Sequence, residues 1–398
     1  MTAEVFSLQP AGRSLQETAA QLQSAGPAVR VELPGGIAAW SVTRHDVLRR
    51  LTEDDRISRD AGQHWPGLDS VPPGWPLAPF LISPTVLNAY GSDHRRLRGI
   101  MELAFTPDRV EVLSANLKRR LPALLAALGT PGSAEIVDVR ASFAQVIAVE
   151  TLCDLFGVPV EEWPEARTAM LDLLTPSGDA EVAARQLDGA MYFFAALISS
   201  KERAPGADMA TVLAQAADLT ADERVLALAV TVAGGVPATA DLITNAVLDL
   251  LNHRDQLSAV LAGAVRWSAV VEETLRFDAP VQNMPLRYAV EDIDLGEGVV
   301  IRQGDPVLMG FGAGGRDPRL HGPAADTFDV HRPDKTHLAF GHGVHYCIGA
   351  PLGRLEAEAA LPALFAHFPD LDLAKPADSL QPIPTFIFNG KTDLPVRL

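Results

Sequence analysis

Apolar positions along this chain recur mostly at three- and four-residue spacing, which predicts a mainly α-helical fold with small β-sheets. Ser14 to Ala25 reads as a helix, and AVRVELPGGIAAWSVT as a hairpin turning at Gly35 and Gly36. Arg44 to Leu51 is a further short helix. Between Ala141 and Asn252 the pattern is helical almost throughout, with breaks at Gly157 to Pro159, Pro176 to Gly178 and Ala204 to Gly206 that delimit long helices. Asp222, Glu223 and Arg224 then open a long apolar helix, Val225 to Leu251. After Pro280 the text becomes strand-like. Between Arg59 and Tyr90, Trp65, Pro66, Pro72, Pro73, Trp75, Pro76, Pro79 and Pro84 exclude regular helix and predict a packed loop. Its tryptophans hint at an aromatic or peptide-like ligand.

One stretch carries chemistry on its face: Phe340 to Gly353, FGHGVHYCIGAPLG. After Ile348 the pattern turns helical, with Leu352, Leu355 and Ala359 on one side and Arg354, Glu356 and Glu358 on the other. Pro351 suits the first helical turn, where its missing N–H costs nothing. Cys347 therefore stands at a helix N-terminus, where the helix dipole and unpaired N–H groups favour a thiolate. Gly341, Gly343, Gly349 and Gly353 permit positive φ or close approach of backbone to a flat ligand. Phe340 shields the sulfur from water. Cys347 reads as an iron ligand, against the plainer alternative of a buried cysteine in a glycine-rich turn.

Composition narrows the field. A net charge of −17 argues against a nucleic-acid partner, which needs a basic face. Two cysteines give no disulfide framework and point to a reducing, cytoplasmic setting; Cys153, in VIAVETLCDLFG, reads as a core thiol. The start, MTAEVFSLQPAGRSLQ, lacks a basic segment followed by an apolar one. The longest apolar run, Val225 to Pro237, falls short of the ~20 residues that span a bilayer, so no membrane association is expected.

The order Phe-Gly-x-Gly-x-His-x-Cys-x-Gly resembles the haem-thiolate loop of the cytochrome P-450 superfamily, of the soluble bacterial kind. That resemblance implies the P-450 fold as one domain over residues 1–398, and haem b with its iron on Cys347, lying between the cysteine loop and the long central helix. In YGSDHRRLRGIMELAF, His94 and Arg98 share a helix face and match the pair that binds haem propionates; Arg287 in PLRYAV and His345 match two more. Glu273 and Arg276, three apart in RWSAVVEETLRF, join Arg332 of FDVHR in what the family uses as a structural triad. Taken alone, each of these is an ordinary surface charge or pair. Arg95, Arg96, Arg109, Lys118, Arg119 and Arg120 form a local basic patch suited to an acidic electron donor such as ferredoxin, fed by a ferredoxin reductase. Phe386 and Phe388, near the C-terminal turn, are candidates to line the substrate pocket or to pack the core, and Pro362 should kink or end the helix after the loop.

The chain departs from the family where an acid and a threonine usually face the iron. In LALAVTVAGGVPATADLITNAV those positions hold Pro237 and Ala238, or Val236 and Pro237 in the neighbouring register. None can donate a proton. Pro237 crowds the carbonyl of Ala233 and should kink the helix, and Thr239 is the nearest hydroxyl. Three chemistries fit the resemblance: oxidation by O2 with a proton relay organised by substrate, use of peroxide, or one-electron coupling of aromatic rings. The expectation is an oxidase of natural-product biosynthesis that hydroxylates or cross-links an aromatic or peptide-like intermediate. A peroxygenase and a haem-binding sensor are the alternatives.

Overall fold

The computed structural model describes residues 6–8, 14–72, 75 and 77–398. The first full helix, Leu15–Ala25, begins where Ser14 and Glu17 cap each other: the Ser14 hydroxyl accepts from the Glu17 N–H and the Glu17 carboxylate accepts from the Ser14 N–H. Strands Val29–Leu33 and Ile37–Val42 then pair antiparallel through a turn in which Gly35 and Gly36 take φ of 87° and 77°. That hairpin joins a six-stranded sheet, in the order Phe6–Ser7, Val29–Leu33, Ile37–Val42, Pro306–Met309, Met284–Ala289, Ile57–Ser58. At its far edge Ser58 pairs with Tyr288, which sets Arg59 beside the strand that carries Arg287.

Helices form most of the remaining described residues, beside a three-stranded and a two-stranded sheet. The helix Gln145–Phe156 ends on Gly157 in the left-handed region, φ 74°, and Trp163–Leu174 and Ala180–Arg203 follow. The central helix runs from Ala221 to Asn252, starting earlier than its apolar pattern because Thr220 and Glu223 form a second capping box. Its 32 residues are long and apolar enough to cross a membrane, contrary to the length judged from Val225 to Pro237. More than half of its most apolar stretch is nevertheless packed inside the protein, where the helix contributes to both large core clusters.

Pro237 and Pro362 both sit inside unbroken helices. Of the two outcomes expected at Pro362, a kink or an end, the helix Ala350–His367 does not end there. Proline in a helix interior costs about 3 kcal/mol, whereas full burial of one large apolar side chain returns about 1.5–3 kcal/mol. Leu361, Leu364 and Phe365, all at most 3% exposed, hold the second half of that helix in the core.

The proline-rich segment contains short helical turns, Ala61–His64 and Ala78–Ile82, where the sequence predicted none; Pro73 and Pro76 lie outside the described residues. Its tryptophans are structural. Trp65 stacks on Tyr288 with centroids 5.5 Å apart, and the Trp75 indole donates to the Pro34 carbonyl. Cys153 is fully buried, and burial, with Glu150 and Asp154 nearby, pushes its thiol up to about 12.

Glu273 and Arg276 are both completely buried and meet through two hydrogen bonds of 2.7 and 2.9 Å. Arg276 also donates to the carbonyls of Gly315, Ala325 and Thr327, and Glu273 accepts from the Asp329 N–H and, at 3.5 Å, from Arg332. The cluster thus pins the irregular segment leading to the cysteine loop onto the core helix Trp267–Phe277. Removing one partner strands a buried charge. Glu273→Gln is expected to lower stability by about 3–5 kcal/mol in urea unfolding; a loss below about 1 kcal/mol would contradict this role.

Candidate functional site

The cysteine loop folds back on itself: the Cys347 N–H donates to the Phe340 carbonyl at 2.9 Å, with Gly341 and Gly343 at φ 71° and 70°. Gly343 has no room for a side chain, since a Cβ there would stand 2.2 Å from the Thr52 carbonyl oxygen. The helix Ala350–His367 starts directly behind, with Pro351 in its first turn. Burial raises the Cys347 thiol, while the N–H groups of Gly349 and Ala350 and the charges of Arg98 and Arg354 pull it back toward the thiolate. The sulfur is exposed only in the sense that it faces an internal cavity of about 320 Å³.

That cavity separates the cysteine loop from the central helix. Phe340, Gly341, Cys347 and Gly349 border one side; Ala233, Gly234, Ala238 and Thr239 border the other. Ala238 and Thr239 therefore reach the site, whereas Pro237 is not among its lining residues. Val86, Leu87, Met284, Ile387 and Phe388 extend the apolar wall. Phe386 instead packs in the core, 5% exposed, beside Trp65 and Trp75, and neither tryptophan reaches the cavity.

One end of the cavity is basic. The structure gathers His94, Arg98, Arg287 and His345 there from a helix, a strand and the cysteine loop. The His94 and His345 rings lie 4.1 Å apart. Burial, then the Arg98, Arg287 and Arg59 charges, push His94 down to about 4; burial and the same arginines, Arg59 foremost, hold His345 far below the usual imidazole range. Arg98 already has partners, Glu102 at 2.7 Å and the Tyr346 carbonyl at 2.7 Å. Arg287 has none for its Nε among the described residues. A thiol at a helix start, a largely apolar cavity in front of it and a buried cationic end fit an iron macrocycle bearing carboxylates.

Two ionisable lining residues escaped the sequence reading. Arg59 stands at the basic end, and no periodicity marks it; only the pairing of a two-residue strand brings it there. Glu356, assigned from sequence to the polar face of its helix, is 4% exposed and turned inward. Its spacing from Leu352 and Ala359, four and three residues, was the available signal. Thr239 Oγ donates to Glu356 Oε2 at 3.2 Å, and Thr151 lies close by. Burial pushes the Glu356 carboxyl up to about 8 against the pull of Thr151 and Thr239, so it holds its proton at neutral pH.

The basic patch is smaller than the sequence implied. Arg96 is paired with Glu223 at 2.6 Å, and Arg120 with Glu150 at 3.1 Å and with Asp154.

A model of the family described as Cytochrome P450 matches residues 267–386. The 2-hydroxy-5-methyl-1-naphthoate 7-hydroxylase of Streptomyces carzinostaticus is 36% identical over 399 residues, covering 99% of this chain and 97% of its own. The 6-deoxyerythronolide B hydroxylase of Saccharopolyspora erythraea is 32% identical, covering 96% and 95%. The solved structure of CYP154A1 from Streptomyces coelicolor A3(2) superimposes with a TM-score of 0.90 at 38% identity, covering 98% of this chain and 99% of that one. The chain belongs to the cytochrome P-450 family. It is a P-450 monooxygenase, and proteins of this family bind haem through a cysteine thiolate.

The raised Glu356 value makes stability depend on pH. Between the ordinary 4.5 and about 8 the folded chain binds more protons than the unfolded one, so Glu356 lowers stability as pH rises through that window. Glu356→Gln should become more stable relative to the parent by up to about 1.4 kcal/mol per pH unit from about pH 5 to 8. Urea unfolding at the two ends checks this; a constant difference contradicts it.

Proposed function

We propose that this protein hydroxylates an apolar, aromatic or fused-ring intermediate of natural-product biosynthesis, with O2 and electrons passed from a reductase through a ferredoxin. The observation that carries this reading is the character of the cavity. Away from the basic end its wall is mostly apolar, with Val86, Leu87, Val230, Leu242, Met284, Ile387 and Phe388; among the described residues the one carboxyl or basic side chain there is Glu356, which holds its proton. A neutral ring system suits such a wall. The naphthoate hydroxylase and the macrolide-ring hydroxylase similar to this chain act on substrates of natural-product type by their names, which supports hydroxylation over ring coupling. The peroxygenase alternative needs a cation on the substrate side to hold a carboxylate, and the residues there supply none. Similarity to named hydroxylases favours catalysis over sensing.

Haem ligated by Cys347 would supply the activation of dioxygen. His94, Arg98, Arg287 and His345 would hold its carboxylates. The chain's own contribution to proton delivery falls to Thr239 and Glu356. Glu356 keeps a proton in the wall of the cavity, and Thr239 Oγ links that carboxyl to the cavity surface in place of the absent acid and threonine. Ala238 leaves space for a substrate hydroxyl or a water.

The test is turnover of a panel of neutral naphthalene-type, polycyclic and macrolide compounds, with a naphthoate as the charged comparison, under labelled O2 with ferredoxin, reductase and NADPH. Gain of one labelled oxygen is expected. Loss of two hydrogens without oxygen would establish coupling or desaturation instead. Glu356→Gln and Thr239→Val should each lower kcat by about a hundredfold, with substrate affinity little changed and a larger share of electrons lost to peroxide. Unchanged kcat in both would remove the pair from the reaction.

A further inference from the structure

Arg59 is 2% exposed and Arg287 3% exposed, and they face the same end of the cavity. Among the described residues, the one hydrogen bond of the Arg59 side chain runs from Nη2 to the Pro285 carbonyl at 3.0 Å. The Nε atoms of Arg59 and Arg287 are both buried without a partner there. No carboxylate pairs with either among the described residues, in a chain that carries 50 Asp and Glu against 33 Lys and Arg. Two buried guanidinium groups so close together repel each other and are starved of solvent. Burial pulls Arg59 down to about 10, and burial with the Arg59 charge pulls Arg287 down to about 9. Buried charges of this kind are strongly unfavourable unless an anion pairs with them.

The other groups at this end need no such anion. Arg98 is paired with Glu102, and His94 is neutral. A haem brings two carboxylates. We propose that Arg59 is a carboxylate-binding residue of the haem site, so that Arg59 and Arg287 supply the two uncompensated buried cations the propionates neutralise, with Arg98 in a lesser role at the rim. This rests on the haem site described above.

Arg59 lies apart in sequence from the other residues of the basic end. Arg59 follows the strand Ile57–Ser58 in ISRD, outside the His94 helix, the Arg287 strand and the cysteine loop. Pairing of Ser58 with Tyr288 and the bond to Pro285 fix it next to Arg287 without any sequence proximity.

The experiment uses the haem-loaded protein and its Arg59→Met, Arg59→Lys, Arg98→Met and Arg287→Met variants. Haem transfer to excess apomyoglobin gives the rate of cofactor loss, and resonance Raman gives the propionate bending bands. Arg59→Met should release haem about tenfold faster or more, as expected for loss of a charge-assisted hydrogen bond, and should shift a propionate band. Arg59→Lys, which keeps the charge, should fall between it and the parent, and keeps the test open if the methionine variant does not fold. Arg98→Met should have the smaller effect. Parent-like release and unshifted bands in both Arg59 variants, with fast release from Arg287→Met, would overturn the proposal. If Cys347→Ala retains a thiolate spectrum and Arg287→Met releases haem at the parent rate, the haem site itself is misplaced and the proposal falls with it.

Discussion

A sulfur atom placed at the start of a helix, with an open cavity in front of it, cannot be held by that helix alone. The Cys347 loop is fixed from three sides. Its backbone closes on Phe340, Gly343 packs against the Thr52 carbonyl with no space for a side chain, and the approach through residues 315–332 is pinned by the fully buried Glu273–Arg276 pair. Each constraint is local and rigid. Together they set the distance between the loop and the central helix, and so the shape of the cavity between them.

Electrostatics gives that cavity a direction. An acidic chain encloses an end lined by Arg59, His94, Arg98, Arg287 and His345, while the opposite wall is apolar. Low dielectric sharpens both parts: it keeps the two imidazoles neutral and leaves the arginines waiting for anions. Beside the central helix the same burial works in the other sense on Glu356, keeping a carboxyl protonated next to Thr239. The central helix, with Pro237 and Ala238 at this level, thus has a proton-bearing acid beside it on the neighbouring helix.

Much of this was legible in the sequence because periodicity and turn chemistry are local. The first helix, the hairpin and the glycine-stopped helix before Gly157 follow from spacing and from single residues. The motif around Cys347 pointed to the family, and the resemblance named His94, Arg98, Arg287 and His345, which the structure gathers around one cavity. What local pattern could not carry was direction in three dimensions. Glu356 looked polar by its neighbours Arg354 and Glu358, yet it turns inward; Trp65 and Trp75 looked like ligand contacts, yet they pack on Tyr288 and the hairpin. Pro362 reads as a helix breaker until the burial of Leu361, Leu364 and Phe365 is weighed against it. Arg59 has no signal at all outside the strand pairing that positions it.

The most direct measurement is a crystal structure of the haem-loaded protein. The iron should lie against Cys347 Sγ, with the two propionates within hydrogen-bonding distance of the Arg59 and Arg287 guanidinium groups and Thr239 still bonded to Glu356. Propionates held by Arg98 alone, with Arg59 turned away, or an iron ligated by any other residue, would contradict the assignment of this cavity.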